Sequence, residues 1–238
     1  MLTEEIGFYL RHRVQISEWA ALHERVEKLM RDAVTAGSHD AALRLLNGES
    51  GDDEVDFYVR NRALITEWDA LQTSAGLALH DALLDAVRNA DCRVVEGKRG
   101  WTTAMVRTPG LAALRGEHEA WIEMAWTKQD LLSTRRGFAS PRIAIVLKPS
   151  RWAGEDRTRV LAATSVVARE QGLTKRQDGW WIHWGVLAEV AESQDLGSYA
   201  DDCVEQLQEA SNRVYPRLLD AILATLGPVV VDELMSPG

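Results

Sequence analysis

Residues 8–22 read FYLRHRVQISEWAAL, and residues 57–71 read FYVRNRALITEWDAL. Nine of the fifteen positions are identical: the Phe, the Tyr, both Arg, the Ile, the Glu, the Trp, an Ala and the final Leu. Leu10/Val59 and Ser17/Thr66 are close substitutions. Wound as a helix at about 100° per residue, Phe8, Trp19 and Leu22 fall together, with Ile16 and Tyr9 at the flank. Phe57, Trp68, Leu71, Ile65 and Tyr58 repeat that broad apolar face in the second copy. Leu10 and Ala21 lie nearly opposite it, so the helix is expected to be covered on two sides.

Each copy continues in helical pattern. HERVEKLMRDAVTAG follows the first and stops at Gly37; QTSAGLALHDALLDAVRNAD follows the second and stops near Asn89. Gly76 weakens the second run by about 1 kcal/mol relative to Ala and marks a place for a kink. Glu4 and Glu5, and Asp52, Asp53 and Glu54, supply acidic first turns that suit the helix dipole. Two helices of about 34 residues are each about 50 Å long. The linker 38–51 carries its own short helical pattern, DAALRLLNG, and is then too short to span that distance. An antiparallel hairpin follows, its copies facing each other about a pseudo-twofold axis, with the Phe, Tyr and Trp of each copy expected near opposite ends of the pair. In that arrangement Arg11, Arg13, Arg60 and Arg62 lie apart rather than forming one anion site.

After Asp91 the pattern changes. CRVVE, GKRG and WTTAMVR read as strand, turn, strand. EAWIEMAWT alternates as a strand does, and Ile143–Leu147 in SPRIAIVLKP is continuously apolar, as a central strand is. Glu155–Gln171 reads as a helix closed by Gly172. DGWWIHWGVL reads as a strand in which the neighbours Trp180 and Trp181 point to opposite faces. A terminal helix runs from about Tyr199 to Leu226, and Pro216 is expected to kink it or start a second helix. The fold class is α+β: residues 1–90 a helical hairpin with an internal repeat, residues 91–238 a mostly antiparallel or mixed sheet with flanking helices, packed on the hairpin.

Net charge is −9, against indiscriminate binding to nucleic acid. The charge is segregated: residues 128–178 hold eleven Lys/Arg and five Asp/Glu, whereas both flanks are acidic. Seven of the nine Trp lie between residues 101 and 184. Arg135, Arg136, Arg142, Arg151, Arg157, Lys175, Arg176, Trp180 and Trp181 are therefore the candidate binding residues, since guanidinium groups fork onto phosphate and indoles stack on bases. The two cysteines, Cys92 and Cys203, lack metal-ligand spacing and are expected as buried thiols in a reducing cytoplasm. No apolar run approaches membrane-spanning length, and the opening MLTEEIGF lacks the basic and apolar regions of a secretory signal. The six histidines form no HExxH-type pair, and P-loop, GxGxxG and GxSxG patterns are absent. His183, between Trp181 and Trp184, reads as a packed residue more readily than a catalytic one.

WIEMAW, IAIVLKP and the order helix, three strands, helix, strand over about residues 75–190 resemble the core of the PD-(D/E)XK nuclease superfamily. The resemblance implies an acid on the second core strand, matched by Glu123, and an acid-x-Lys on the third, where Lys148 matches the lysine and Val146 stands in place of the acid. In members that cut, the acids hold Mg²⁺ and the lysine positions or activates water. A second register uses Glu96 and Lys98 around Gly97, on the first strand. With Val146 in place of a ligand, the resemblance implies that fold without its chemistry. The expectation is thus a non-catalytic cytoplasmic protein acting through protein–protein contacts, with a homodimer among the candidate assemblies and no cofactor. The alternative is a nucleic-acid binder or Mg²⁺-dependent nuclease.

Overall fold

The computed structural model describes residues 2–97, 100–106, 120–134, 139–148, 152, 154–174, 179–191 and 194–226. The order is α1 (Leu2–Thr35), α2 (His39–Leu46), α3 (Asp53–Asn89), β1 (Arg93–Glu96), β2 (Trp101–Met105), β3 (Ala120–Thr127), β4 (Arg142–Leu147), α4 (Gly154–Glu170), β5 (Trp181–Val186) and α5 (Leu196–Leu226). The fold is α+β, as the pattern of periods requires. The chain forms two compact units: Met1–Leu77 with Leu132–Gly137 and Ala191–Ser193, and Ala78–Leu131 with Phe138–Val190 and Gln194–Gly238.

In the first unit the two copies of the repeat meet each other. Phe8 packs on Trp68 at 5.5 Å between ring centroids, and Trp19 packs on Phe57 at 5.2 Å. Between them Trp19 meets Trp68 at 6.1 Å. Shifting each residue by 49 converts the first pair into the second and returns the third to itself. The helices are therefore antiparallel and related by a pseudo-twofold axis near the Trp19–Trp68 contact. The aromatic residues do not separate to opposite ends, as the sequence pattern alone suggested. Full antiparallel overlap sets the Phe of each copy against the Trp of the other, burying ring area that neither helix covers alone. Ile16 and Ile65, symmetry mates, are both buried.

Local chemistry fixes the helix ends. α1 closes in a Schellman turn: Ser38 N–H donates to the Ala33 carbonyl and Gly37 N–H to that of Val34, with Gly37 at φ 66°. Asp52 caps α3, its carboxylate accepting the Val55 N–H at 3.2 Å. Asp56 then ties down the preceding loop, accepting the Ser50 N–H and hydroxyl, each at 2.7 Å. Those Ser50 bonds hold its carboxyl below the usual carboxylate range, against burial. Gly48 sits under Arg60 at φ 66°, where an added Cβ would stand 2.9 Å from the Arg60 Cγ. α3 runs unbroken through Gly76 as 37 residues.

In the second unit all strand pairs are antiparallel, in the order β1-β2-β3-β4-β5. β4 is an inner strand and is buried along its whole length. One face packs on helices: the buried Trp126 of β3 donates its indole N–H to His80 Nδ1 of α3 at 3.0 Å. Burial holds His80 below its usual pKa, so a neutral ring accepts that bond. His183 of β5, also buried, donates from Nε2 to the Leu161 carbonyl of α4 at 3.2 Å. α5 is one continuous helix with Pro216 inside it, so no second helix starts there. Pro216 is exposed, whereas Cys203, Leu207, Val214, Leu218 and Ile222 form a buried stripe on both sides of it. That stripe outweighs the single backbone bond the ring removes.

The pseudo-twofold makes a pairwise prediction. Double-mutant cycles by urea denaturation should give a coupling of about 0.5–1.5 kcal/mol for Phe8 with Trp68, and a similar value for Phe57 with Trp19. The cycle for Phe8 with Trp19, which both pack on Trp68, should give a smaller coupling. A second expectation concerns the loop. Asp56→Ala should lower the thermal midpoint at pH 7. Because the folded carboxyl titrates low, its contribution is present above the unfolded pKa of about 3.8 and fades as pH falls through the folded value. The gap between wild type and variant should close in acid.

Candidate functional site: the tryptophan face of the sheet

The sheet face away from Trp126 and His183 collects the indoles. Antiparallel register sets Trp101 opposite Thr127, Glu123 between Met105 and Ala144, Trp121 opposite Val146, and Trp184 opposite Ala144. Trp181 and Trp184 are three residues apart, and simple alternation would place them on opposite faces. A register shift between Ile145 and Val146 brings them to one face, their rings 5.8 Å apart. Trp101 packs edge-on against Trp181 at 5.8 Å, and Trp121 edge-on against Trp180 at 6.0 Å. Trp180 and Trp181 therefore share a face, contrary to the strand alternation. Trp180 precedes β5 in a bend, where the period of two does not apply.

Glu123 lies at the centre of this face and is 6 % exposed. Its Oε2 accepts the Trp121 indole N–H at 2.6 Å and its Oε1 accepts that of Trp181 at 2.7 Å. Burial raises the Glu123 pKa, and the two indole donors oppose that rise. Arg142 is also buried, its guanidinium 4.5 Å from the centroid of the Trp184 ring, a cation–π geometry. Burial lowers its pKa from a high value and leaves the charge in place. A buried acid and a buried base are thus both dressed by tryptophan. Trp101, Trp121, Trp181 and Trp184 remain half-buried, and Trp180 is 50 % exposed.

Lys148 is half-buried just past the end of β4, and Glu96 is exposed at the end of β1. Val146 faces Trp121 across the β3–β4 ladder, beside Glu123 rather than completing an acid pair with it. Arg157 donates to the Leu147 carbonyl at 3.2 Å and to the Gly179 carbonyl, pinning the turn that leads into β5. Lys98, Arg135, Arg136, Arg151, Lys175 and Arg176 lie outside the described residues. Among the described residues, no three His, Cys, Asp or Glu side chains gather closely enough to hold a metal ion. No described helix is long and apolar enough to cross a membrane. Sequence reasoning did not reveal the indole caps on Glu123. The alternation of Trp121 and Glu123 on one strand was the available signal for the first, and the bulge that supplies the second left none.

Glu123→Gln separates charge from shape. Ionising a buried acid disfavours the fold, so wild-type stability should decline as pH rises through about 4.5 toward the raised folded pKa. The glutamine chain should lack that slope while losing one indole bond, a cost of about 1 kcal/mol. Denaturation at several pH values, read by tryptophan fluorescence, measures both. Comparison with protein-family models, with curated proteins and with solved structures gives no match to this chain.

Proposed function

We propose that this protein is non-catalytic and works in the cytoplasm by binding another protein. One observation carries the reading: both oxygens of Glu123, the sheet's central acid, are engaged by Trp121 and Trp181. Each oxygen keeps a second lone-pair direction, but Glu123 is 6 % exposed and covered by the two indoles, so its bonds shape the face around it rather than presenting an open ligand. Three of the six described cations of the basic segment support the same view. Arg157 holds two carbonyls, Arg159 pairs with Glu155 and Asp156 on its own helix, and Arg142 lies under Trp184. Burial pushes the Cys203 thiol up to about 12, which keeps it unreactive in a reducing compartment.

A second reading is a nucleic-acid binder built on a degenerate PD-(D/E)XK-like core that has lost its Mg²⁺ chemistry. The half-exposed Trp180 ring, against Trp121 and near the end of β4, favours it. Phosphate contacts strengthen as salt falls.

Immobilised full-length protein should retain a defined protein from native lysate after nuclease treatment, and Glu123→Gln should retain it equally. Gel shifts at low salt should show no complex with single- or double-stranded oligonucleotides. A salt-dependent shift lost in Trp180→Ala would exchange the first reading for the second, and Mg²⁺-dependent cleavage lost in Glu123→Gln would overturn both. Sedimentation over a range of concentrations tests the homodimer.

A further inference from the structure

The pseudo-twofold axis of the hairpin creates two related seats, and among the described residues only one of them is filled by a segment from outside the hairpin sequence. At the first, the Tyr9 hydroxyl donates to the Leu132 carbonyl at 3.1 Å. Tyr9 and Leu132 are each 2 % exposed, and the neighbouring Leu10 is 5 % exposed. Leu132 adopts φ 61°, a backbone conformation that a branched side chain rarely takes, so its surroundings must hold it there. The residue that closes this seat is Leu132, within the sequence DLLS of residues 130–133.

At the second seat, Tyr58 takes the place of Tyr9, Val59 that of Leu10 and Arg62 that of Arg13. Here, among the described residues, a groove of about 680 Å³ lies open between α1, α2 and α3. Val26, Met30, Leu45, Leu46 and Val59 give it an apolar lining, with Leu46 exposed. The Tyr58 hydroxyl lies 3.0 Å from His23 Nδ1. His23 Nε2 faces the Glu27 carboxylate at 3.2 Å and carries the ring proton toward it, so Nδ1 accepts from Tyr58. A histidine nitrogen thus stands where the first seat has a backbone carbonyl. Arg62, on the groove's rim, is exposed and makes no ion pair among the described residues. Groove volume, apolar lining and a few convergent polar groups are the usual marks of a recognition site.

We propose that the Tyr58 groove is the docking site for a short segment of another protein that reproduces what Leu132 does at Tyr9. That segment offers a leucine-type side chain to the apolar lining, a backbone carbonyl to Tyr58 in exchange for His23, and an acidic residue to Arg62. The two seats derive from one ancestral helix face, so the occupant of the first specifies the chemistry suited to the second. Burial holds the Tyr58 phenol above its ordinary pKa, and it remains a donor at neutral pH. This assignment rests on the protein-binding function proposed above and gives it a place.

The probe is a labelled peptide with this chain's own sequence from Lys128 to Thr134, KQDLLST, titrated against the full chain by fluorescence anisotropy. Saturable binding is expected. It should weaken about tenfold or more in Arg62→Ala and in Tyr58→Phe, vanish in Ala63→Trp, which fills the groove, and be unchanged in Tyr9→Phe. A peptide with both leucines replaced by aspartate should not bind. Arg62 and Ala63 are exposed, so these two variants test the groove even if Tyr58→Phe folds poorly. Absence of saturable binding up to about 1 mM, or binding indifferent to Arg62→Ala and Ala63→Trp, overturns the assignment. Concentration-dependent self-association abolished by Ala63→Trp would make the occupant a second copy and overturn it as well. If the peptide fails while the chain still retains a lysate protein, and Ala63→Trp retains it too, the groove alone falls. If lysate retention also fails, the protein-binding function falls with it.

Discussion

The first unit depends on one contact that the chain makes with its own copy: Trp19 against Trp68, flanked by Phe8 on Trp68 and Phe57 on Trp19. A helix face that packs on itself in antiparallel fashion is self-complementary in the way an isologous dimer interface is. Duplication with a short connection turns such an interface into an intramolecular one, at an effective concentration no free dimer reaches. The connection needs little strength of its own. α2, the Asp56-bound loop and the Schellman turn at Gly37 redirect the chain, while the ring contacts fix the register of the helices. This explains why the Phe and Trp positions that meet across the pair are duplicated.

The second unit solves a different problem: polar groups inside an apolar sheet. Three of its buried polar side chains find partners in a neighbouring ring or a backbone carbonyl. Trp126 meets His80, His183 meets Leu161, and Glu123 meets Trp121 and Trp181. Tryptophan suits this because one side chain supplies a large apolar area and a single N–H. A sheet face built this way can bury a carboxylate without a basic partner. The abundance of tryptophan between residues 101 and 184 then serves cohesion first, and Trp180 is the ring left over for solvent or a partner.

Much of this fold was legible where a single period dominated. The repeat announced two helices and their antiparallel pairing, Gly37 and Gly172 announced helix ends, and Ile143–Leu147 announced an inner strand. Local rules failed where long-range packing took over. Pro216 reads as a break, yet the apolar stripe of α5 carries the helix past it. Trp180 and Trp181 read as opposite-facing, yet a bulge and a bend put both on one side. The acid at position 123 could be singled out by type and strand position. Its two indole partners could not both be found, because Trp181 is 58 residues away and its direction depends on a register shift.

The hairpin's asymmetries are as informative as its symmetry. Positions related by 49 residues keep Phe, Tyr, both Arg, Ile and Trp, and differ where the seats differ: Gln72 stands for His23, Gly7 for Asp56, Leu10 for Val59. Each difference has a local physical consequence on the second side. His23 gives Tyr58 an acceptor, Asp56 organises the loop that leads into α3, and the smaller Val59 leaves room where Leu10 is packed tight. A duplicated scaffold that only needed stability would gain most by closing both seats with apolar contact, since exposed Leu46 and half-covered Val59 contribute little where they stand. Divergence has instead supplied the open seat with its own hydrogen-bond partner and left Arg62 on its rim. One copy of the repeated surface holds the chain's own Leu132, and the other lies open among the described residues.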